Sequence, residues 1–409
     1  MGKNIKVIIS TLGPLHLLKA AEFLNEVVEV QVVQGWIPSW WNRWLLYIAS
    51  YFQRRNIFRT INKRMPESLK GRNHGVAFPD MFYWACKFFK LVSNKKASYL
   101  SAQIYGIMQQ KYIKDADIFH VRSGSGSNGA ILKAKKKGMK VVVDHSIAHP
   151  AFMDRQLRAE YQKYNAAFDL GLDCPFWQEI VEECKVADVV LVNSQFVKDT
   201  FIENGYDEKK IRIALQGVRS DFFSIKTDYN LHRPLRILFS GGFGIRKGAE
   251  YILRAMCELD KVGFDYELTI VGNYYGVAPI IEKYTPNHIK LINTVPQEEL
   301  KQYLRDSDVY LFPSLCEGCA SSGMEALAAG LPVIATCESG LPIENGEDGI
   351  IIESKSVKAI VDALLSISRN SSLMESLGRN AARKIATNYT WEKYSEIVVS
   401  VYEELLTQT

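Results

Sequence analysis

The stretch Leu311–Thr336, LFPSLCEGCASSGMEALAAGLPVIAT, constrains the fold more than any other part of the chain. Val309 to Phe312 is apolar and β-prone, and Pro313 and Ser314 stop it. Gly318 and Gly323 mark a loop and close backbone approach. Met324 to Ala329 are strong helix formers, and Gly330, Leu331 and Pro332 end that helix. Val333 to Thr336 is the next buried strand. The order strand, loop, helix, loop, strand belongs to an open parallel sheet, where ligands bind beyond the carboxyl ends of the strands.

Two carboxylates bracket the loop with seven residues between them. Glu317 lies at a strand's carboxyl end, and Glu325 lies in the first turns of the helix. The loop's free N–H groups and the helix N-terminus suit a phosphate. Carboxylates beside a phosphate would repel it, so their partners must be hydroxyls. A ligand with both phosphate and sugar hydroxyls is a sugar nucleotide. The plain alternative is a solvated Glu317 and a surface Glu325.

In this setting E-x7-E resembles the donor-site motif of retaining GT-B glycosyltransferases, family 4 (glycosyl transferases group 1). Further landmarks of that family follow one another along nearly the whole chain. The resemblance implies an α/β fold of two doubly wound, Rossmann-like domains facing a central cleft. It implies residues 1–228 as an acceptor-side domain with a basic aromatic insert at about 36–100, and residues 229–388 as a nucleotide-sugar donor domain. Residues 389–409 are then a closing helix that packs back on the first domain. The boundary is expected near 225–233, in the polar linker Asp228–Pro234.

The first domain opens with Lys6–Ser10 as a buried strand. The loop Thr11–His16 follows, with Gly13 at its tight point, and the resemblance gives this loop a part in seating donor phosphate and acceptor. Arg122–Gly129 (RSGSGSNG) caps the strand Asp117–Val121 and either cradles phosphate or acceptor or makes a tight turn. The strand Lys140–Val143 ends in DHSIAHP. The family carries a histidine in this loop, pointing at the transferred sugar. The spacing resembles the variant that favours His149, with His145 as the alternative. A loop histidine without such a role is a structural one.

The second domain opens with Leu235–Ser240 as a strand, followed by GGFGIRKG. Glycines let the backbone approach a diphosphate, and Arg246 and Lys247 supply cations for it as it leaves. This resembles the family's phosphate loop. It departs at Gly242, where many members have arginine. Thr294 and Val295 fall where the family pairs backbone groups with the base. The donor loop continues after Glu317 with Gly318, Cys319, Ala320 and Ser321. Cys319 and Ala320 replace an aromatic and a glycine common in the family, yet their amides can bind the sugar. The implied roles are leaving-group stabilisation by Lys247 and Arg246, ribose binding by Glu325, and sugar binding with cation stabilisation by Glu317.

Composition narrows the context. A chain of 409 residues, 47% hydrophobic and 23% charged, holds two full cores. No apolar run approaches the roughly 20 residues that span a bilayer. The N-terminus is too short and strand-like for a signal peptide, and Lys6 stands where a myristoylation signal needs Ser or Thr. The seven scattered cysteines fit a reducing cytoplasm and form no disulfide framework. Cys316 and Cys319 make a C-x-x-C, read as small loop residues in preference to a redox or metal pair.

The net charge of +5 is unevenly divided. Residues 1–140 hold 23 basic against 7 acidic side chains, a net of +16, leaving 27 against 38, a net of −11, for the remainder. Trp36–Arg64 carries seven Trp, Tyr and Phe residues before Phe58 and no acid, and Phe82–Lys96 is a second aromatic and basic piece. Such segments suit a membrane interface, or a helical insert with a solvated basic face. Nucleic acid is not expected, since no nucleic-acid motif accompanies them. Asp115-Ala116-Asp117 and Asp306-Ser307-Asp308 match D-x-D, but sit at the wrong ends of their strands for a metal–diphosphate, so no metal is expected.

These readings imply a transferase moving a hexosyl or N-acetylhexosaminyl group from a nucleotide-diphosphate sugar to a hydroxyl acceptor, with retention and without a cofactor. The acceptor is expected in polysaccharide or glycolipid assembly, lipid-linked in one version. The enzyme is then cytoplasmic and peripheral on the inner face of an anionic plasma membrane. A non-catalytic nucleotide-sugar-binding protein and a sugar-nucleotide epimerase are the alternatives.

Overall fold

The computed structural model describes residues 5–13, 16–37, 64–274 and 276–407. The first sheet contains β1 (Lys6–Thr11), β2 (Glu29–Gln34), β3 (Asn73–Gly75), β4 (Ile118–Arg122), β5 (Lys140–His145), β6 (Val189–Val192) and β7 (Ile211–Ile213). Its order is β3-β2-β1-β4-β5-β6-β7, parallel throughout. Its central strands are runs such as VVLV and VVVD that are buried along their length, as a parallel sheet with both faces covered requires. The covering helices are α1 (His16–Leu24), α2 (Ala77–Phe88), α3 (Asn94–Met108), α4 (Ala130–Lys136), α5 (Pro150–Gln162), α6 (Pro175–Val186) and α7 (Gln195–Glu203).

The second sheet contains β8 (Leu235–Ser240), β9 (Tyr266–Val271), β10 (Ile289–Ile292), β11 (Val309–Phe312), β12 (Val333–Thr336) and β13 (Ile350–Ile352), in the parallel order β10-β9-β8-β11-β12-β13. Its helices are α8 (Ala249–Lys261), α9 (Ala278–Lys283), α10 (Gln297–Asp306), α11 (Ser321–Ala329), α12 (Val357–Ile367) and α13 (Ser371–Asn388). In both sheets the strand order reverses beside the first strand, between β1 and β4 and between β8 and β11. That reversal opens a crevice at the carboxyl edge.

The connection from β7 to β8 runs over the second domain. Phe222 and Tyr229 are buried in its core, and the N–H groups of Ser224 and Lys226 donate to the carbonyls of Ala328 and Ala329. Helix α14 (Trp391–Thr407) crosses the other way. Its Tyr394, Val398, Tyr402 and Leu405 are buried with Leu17 and Leu24 of α1, and Trp391 stacks on Phe23 at 6.0 Å.

Helix α5 has no counterpart in the sequence expectation. Pro150 at its first turn and the His149 cap start it. Its apolar face, Met153 and Leu157, is buried against the second domain's core. Glu160, on the same helix, accepts from Tyr251 Oη at 3.0 Å and sits 2.7 Å from Lys163 and 3.5 Å from Lys355. Both domains therefore share α5 as a packed joint.

The second aspartate of each D-x-D, and Asp188 in the equivalent place before β6, have a structural task. Asp117, Asp188 and Asp308 each accept a backbone N–H from the start of the neighbouring strand, at Lys6, Val141 and Arg236, over 2.7–2.8 Å. These positions are at the amino edges of the sheets, opposite the ligand edge. Among the described residues no group of three His, Cys, Asp or Glu is placed to hold a metal ion.

Most of the basic aromatic segment, residues 38–63, lies outside the described residues. At its flanks Trp36 is buried and its N–H donates to Asp80 Oδ2 at 2.7 Å, where Arg64 also pairs. The second aromatic piece forms the end of α2, an exposed turn and the start of α3. No helix among the described residues is long and apolar enough to cross a membrane.

Candidate active site

The donor-side loops meet at the carboxyl edge of the second sheet. After β8 the chain passes Gly241 and Gly242 into a 3-10 turn, Ile245–Lys247, and then Gly248. Gly248 adopts φ +77°, and a Cβ there would come within 2.2 Å of Pro313 O. Only glycine allows that approach, which sets the Arg-Lys turn against the loop after β11. Leu315 N–H donates to Arg246 O at 2.8 Å, and Arg246 Nη1 donates to Cys316 O at 2.7 Å.

Glu317 receives both cations. Arg246 Nη1 lies 2.7 Å and Lys247 Nζ 3.4 Å from its Oε1. The alignment is that of a charge pair and not of a well-directed hydrogen bond. Lys247 Nζ also lies 4.9 Å over the Phe312 ring. Burial lowers the Lys247 pKa, and Glu317 opposes that shift. The geometry is a preassembled cationic pocket whose present counter-ion is Glu317. A phosphate entering it would compete for the two cations and leave the carboxylate free for hydroxyls.

Glu325, on α11, faces a cavity of about 610 Å³. Cys319, Ser321 and Met324 line it from the donor loop and helix, Gln297 from the start of α10, and Gln216 and Arg219 from the connection between the domains. Burial raises the Glu325 carboxyl to about 7. No side-chain cap closes the N-terminus of α11, so its first-turn amides point into the loop without a side-chain acceptor. Thr294 and Val295 lie in the loop leading to Gln297, with Thr294 exposed and Val295 half-buried.

The donor loop also touches the first domain. A Cβ on Gly318 would come within 2.0 Å of Ser146 O, so glycine is required for this contact. Ser194 Oγ donates to Gly318 O at 2.5 Å. The loop carrying Glu317 is therefore pressed against the residue that follows His145.

The two histidines part company here. His145, 1% exposed, lines a cavity of about 310 Å³ together with Gly13, Arg122, Ser123 and Ile147. Its Nδ1 shares a 3.0 Å hydrogen bond with Ser123 Oγ, and its Nε2 has no partner among the described residues. Burial first, then Arg122, lowers its pKa to about 3, so the ring is neutral. His149 instead caps α5: its Nδ1 accepts from Ala151 N–H at 3.2 Å, and its ring packs edge-on against Phe201 and Tyr206. Burial lowers it to about 4.

Beneath this cavity Asp144 is buried. Burial alone would raise its carboxyl, but His16 at 2.9 Å and Arg122 at 3.2 Å hold it well below the usual range. Glu183 props the Gly/Ser loop from below, accepting from Gly124 N–H at 2.6 Å. Burial raises it to about 8.

The structure thus gathers Gly242, Arg246, Lys247 and Glu317–Ser321 around one loop, puts Glu325 in the adjoining cavity, and places Gly13 and His145 on the facing wall. Arg219 and Gln297 were not singled out from sequence, and Arg122 entered only as the first residue of its loop. Arg219 donates to Gln297 Oε1 and faces Glu325 across the cavity.

With the geometry described, comparison with known proteins places the chain. Residues 222–384 match the family model Glycosyl transferases group 1. The amylovoran biosynthesis glycosyltransferase AmsK of Erwinia amylovora is 30% identical over 216 residues, which are 49% of this chain and 53% of that protein. The chain spans about half the length of the curated relatives it matches. Among solved structures, the sucrose-phosphate synthase of Thermosynechococcus elongatus superposes with a TM-score of 0.67 at 15% identity, covering 99% of this chain and 100% of that one. The Anabaena protein HepE in complex with UDP and glucose superposes with a TM-score of 0.61 at 10% identity, covering 98% and 100%. The fold is GT-B.

Proposed function

We propose that this protein transfers a hexosyl or N-acetylhexosaminyl group from a nucleotide-diphosphate sugar to a hydroxyl acceptor, with retention at the anomeric carbon. The observation that carries the reading is the convergence of Arg246, Lys247 and Glu317 at the loop between two strands, beside the cavity of Glu325. Arg246 and Lys247 hold the diphosphate and stabilise its charge as it leaves. Their cations fill that role without a metal ion. Glu325 accepts from ribose hydroxyls. Glu317, released from the cations, holds sugar hydroxyls and faces positive charge at the anomeric carbon. His145, with a neutral and unpartnered Nε2, positions the sugar from the opposite wall, while His149 serves its helix.

The bond from the anomeric carbon to the diphosphate oxygen breaks, and the oxygen keeps the electron pair. The acceptor oxygen bonds to the same face, and its proton passes to the departing diphosphate. A relative named for amylovoran biosynthesis supports a place in polysaccharide assembly. The basic first 140 residues support a lipid-linked acceptor met at an anionic membrane on its cytoplasmic face.

Glu317→Ala tests the reading. Turnover of the donor sugar should fall by about 10²- to 10³-fold, while binding of the free nucleoside diphosphate, measured by calorimetry across UDP, GDP and ADP, stays within a few-fold of wild type. Unchanged turnover would remove Glu317 from the mechanism. Binding without turnover in the wild-type protein would favour a non-catalytic binder.

A further inference from the structure

The wall of the cleft that faces the donor continues into a groove the reaction alone does not explain. The cavity at His145 shares Ser98, Phe176 and Trp177 with an outer cavity of about 590 Å³. The two cavities adjoin, and the outer one has aromatic walls: Tyr99, Phe168, Phe176 and Trp177. Trp177 spends its N–H on Asp169 O at 2.8 Å, so it offers the groove a ring and no donor.

Polar groups lie at the two ends. At the inner end Arg122 Nε and His145 Nε2 are buried without partners among the described residues. At the outer mouth stand the Lys95–Asp169 pair, 3.4 Å apart, and Lys96. Ahead of Ser93 the turn between α2 and α3 exposes Phe89 and Leu91, each 66% accessible, on either side of Lys90. The order is therefore polar, aromatic, then apolar with lysines.

Resting on the transferase reading, we infer that this groove is the binding site for the apolar chain of a lipid-carried acceptor. The hydroxyl-bearing head sits at Arg122 and His145. The chain runs between Tyr99 and Trp177 and leaves past Phe89 and Leu91. The apolar residues Phe89 and Leu91, a few residues ahead of Ser93 at the outer mouth, and the lysines among them, which match an anionic bilayer surface, single out this occupant. A water-soluble saccharide would use the aromatic rings but not the exposed lip.

The test uses prenyl phosphates of 5, 10 and 15 carbons as probes, titrated into the full chain by calorimetry. Each methylene buried is worth about a threefold to fourfold gain, so affinity should rise at least tenfold with each isoprene unit. Ser98→Trp fills the joint between the two cavities from an exposed position. It should abolish the dependence on chain length while leaving the thermal shift given by nucleoside diphosphates unchanged. Affinity independent of chain length, or a Ser98→Trp protein that still shows the rise, would overturn the assignment. Tight binding of short-chain oligosaccharides with no gain from a lipid would overturn it in favour of a saccharide platform. Prenyl binding with no shift from any nucleotide would leave the groove standing and sink the transferase reading instead.

Discussion

The two walls of the cleft are built on opposite principles. The wall proposed to take the donor is charged and local: Arg246, Lys247, Glu317 and Glu325 come from two β-loop-α units, and the ion pairs between them are 2.7–3.4 Å long. The wall proposed for the acceptor is mostly neutral and dispersed: Gly13, Ser98, Arg122, His145 and Trp177 come from five separate segments, and the buried Asp144 is already matched by His16 and Arg122. A nucleotide diphosphate presents the same charges to every enzyme that uses it, so a short, fixed motif suffices. An acceptor wall has no such constant to meet, and it can be assembled from whatever loops the first sheet brings to its edge.

The sharpest way to break this contrast is on the donor wall. Lys247→Met removes one of two cations without changing much volume. Loss of a charge-assisted contact costs about 1.5–3 kcal/mol, so nucleoside diphosphate affinity should fall roughly 10- to 100-fold. Acceptor-side binding of prenyl phosphate should not change. Equal losses on both sides would show that the two walls are not separable.

The next effect is on pH. Burial holds the Glu325 carboxyl at about 7 in the empty site. If ribose hydroxyls bind its anion, nucleotide affinity rises with pH through 7, by no more than tenfold per unit for one proton. Glu325→Gln should flatten a profile measured by calorimetry between pH 6 and 8. A slope that survives the substitution would move the ribose contact elsewhere.

On the acceptor wall pH acts with the opposite sign. Glu183 is an acid whose folded-state pKa, about 8, exceeds its unfolded value. It costs nothing below the unfolded pKa. The penalty grows as pH rises toward 8 and then levels off. Gln keeps an acceptor for Gly124 N–H without the charge, and its amide can donate to Ser127 Oγ, which in the wild type donates to Glu183 Oε1. Glu183→Gln should therefore match wild type in melting at pH 5 and exceed it at pH 8 by at least about 1 kcal/mol, the worth of roughly one pKa unit.

The smallest effect separates the histidines. His149→Ala deletes a helix cap and should cost about 0.5–2 kcal/mol in thermal unfolding, with turnover little altered. His145→Ala should lower turnover with little change in melting. The reverse pattern would return the sugar-facing role to His149.

How far the sequence could be read follows from the same contrast. Both sheets were legible because runs such as VVVD, VVLV and LRILFS have no other economical fold than buried parallel strands. The donor loop was legible because its strand, glycine turn and helix are contiguous from Leu311 to Thr336. Helix α5 was not, because its buried face, Met153, Leu157 and Glu160, belongs to an interface between domains and is sparse within a polar segment. The aromatic groove was not, since Tyr99 and Trp177 meet only after two helices have docked. That His149 caps a helix while His145 lines a cavity is a three-dimensional difference that spacing along the chain does not encode. Arg219 pairs with Gln297, 78 residues away, and no local pattern announces such a pair.

The crossing of α14 has a consequence for how the molecule is made. Domains generally fold in the order in which they leave the ribosome. Here the first domain's core is unfinished until Tyr394, Val398 and Tyr402 have been synthesised, after the entire second domain. The second sheet is then the first to complete its interior, and the earlier-born half waits, with the apolar face of α1 uncovered, for the last helix to close it. Released chains truncated before residue 391 should carry a protease-resistant second domain and a digestible first one.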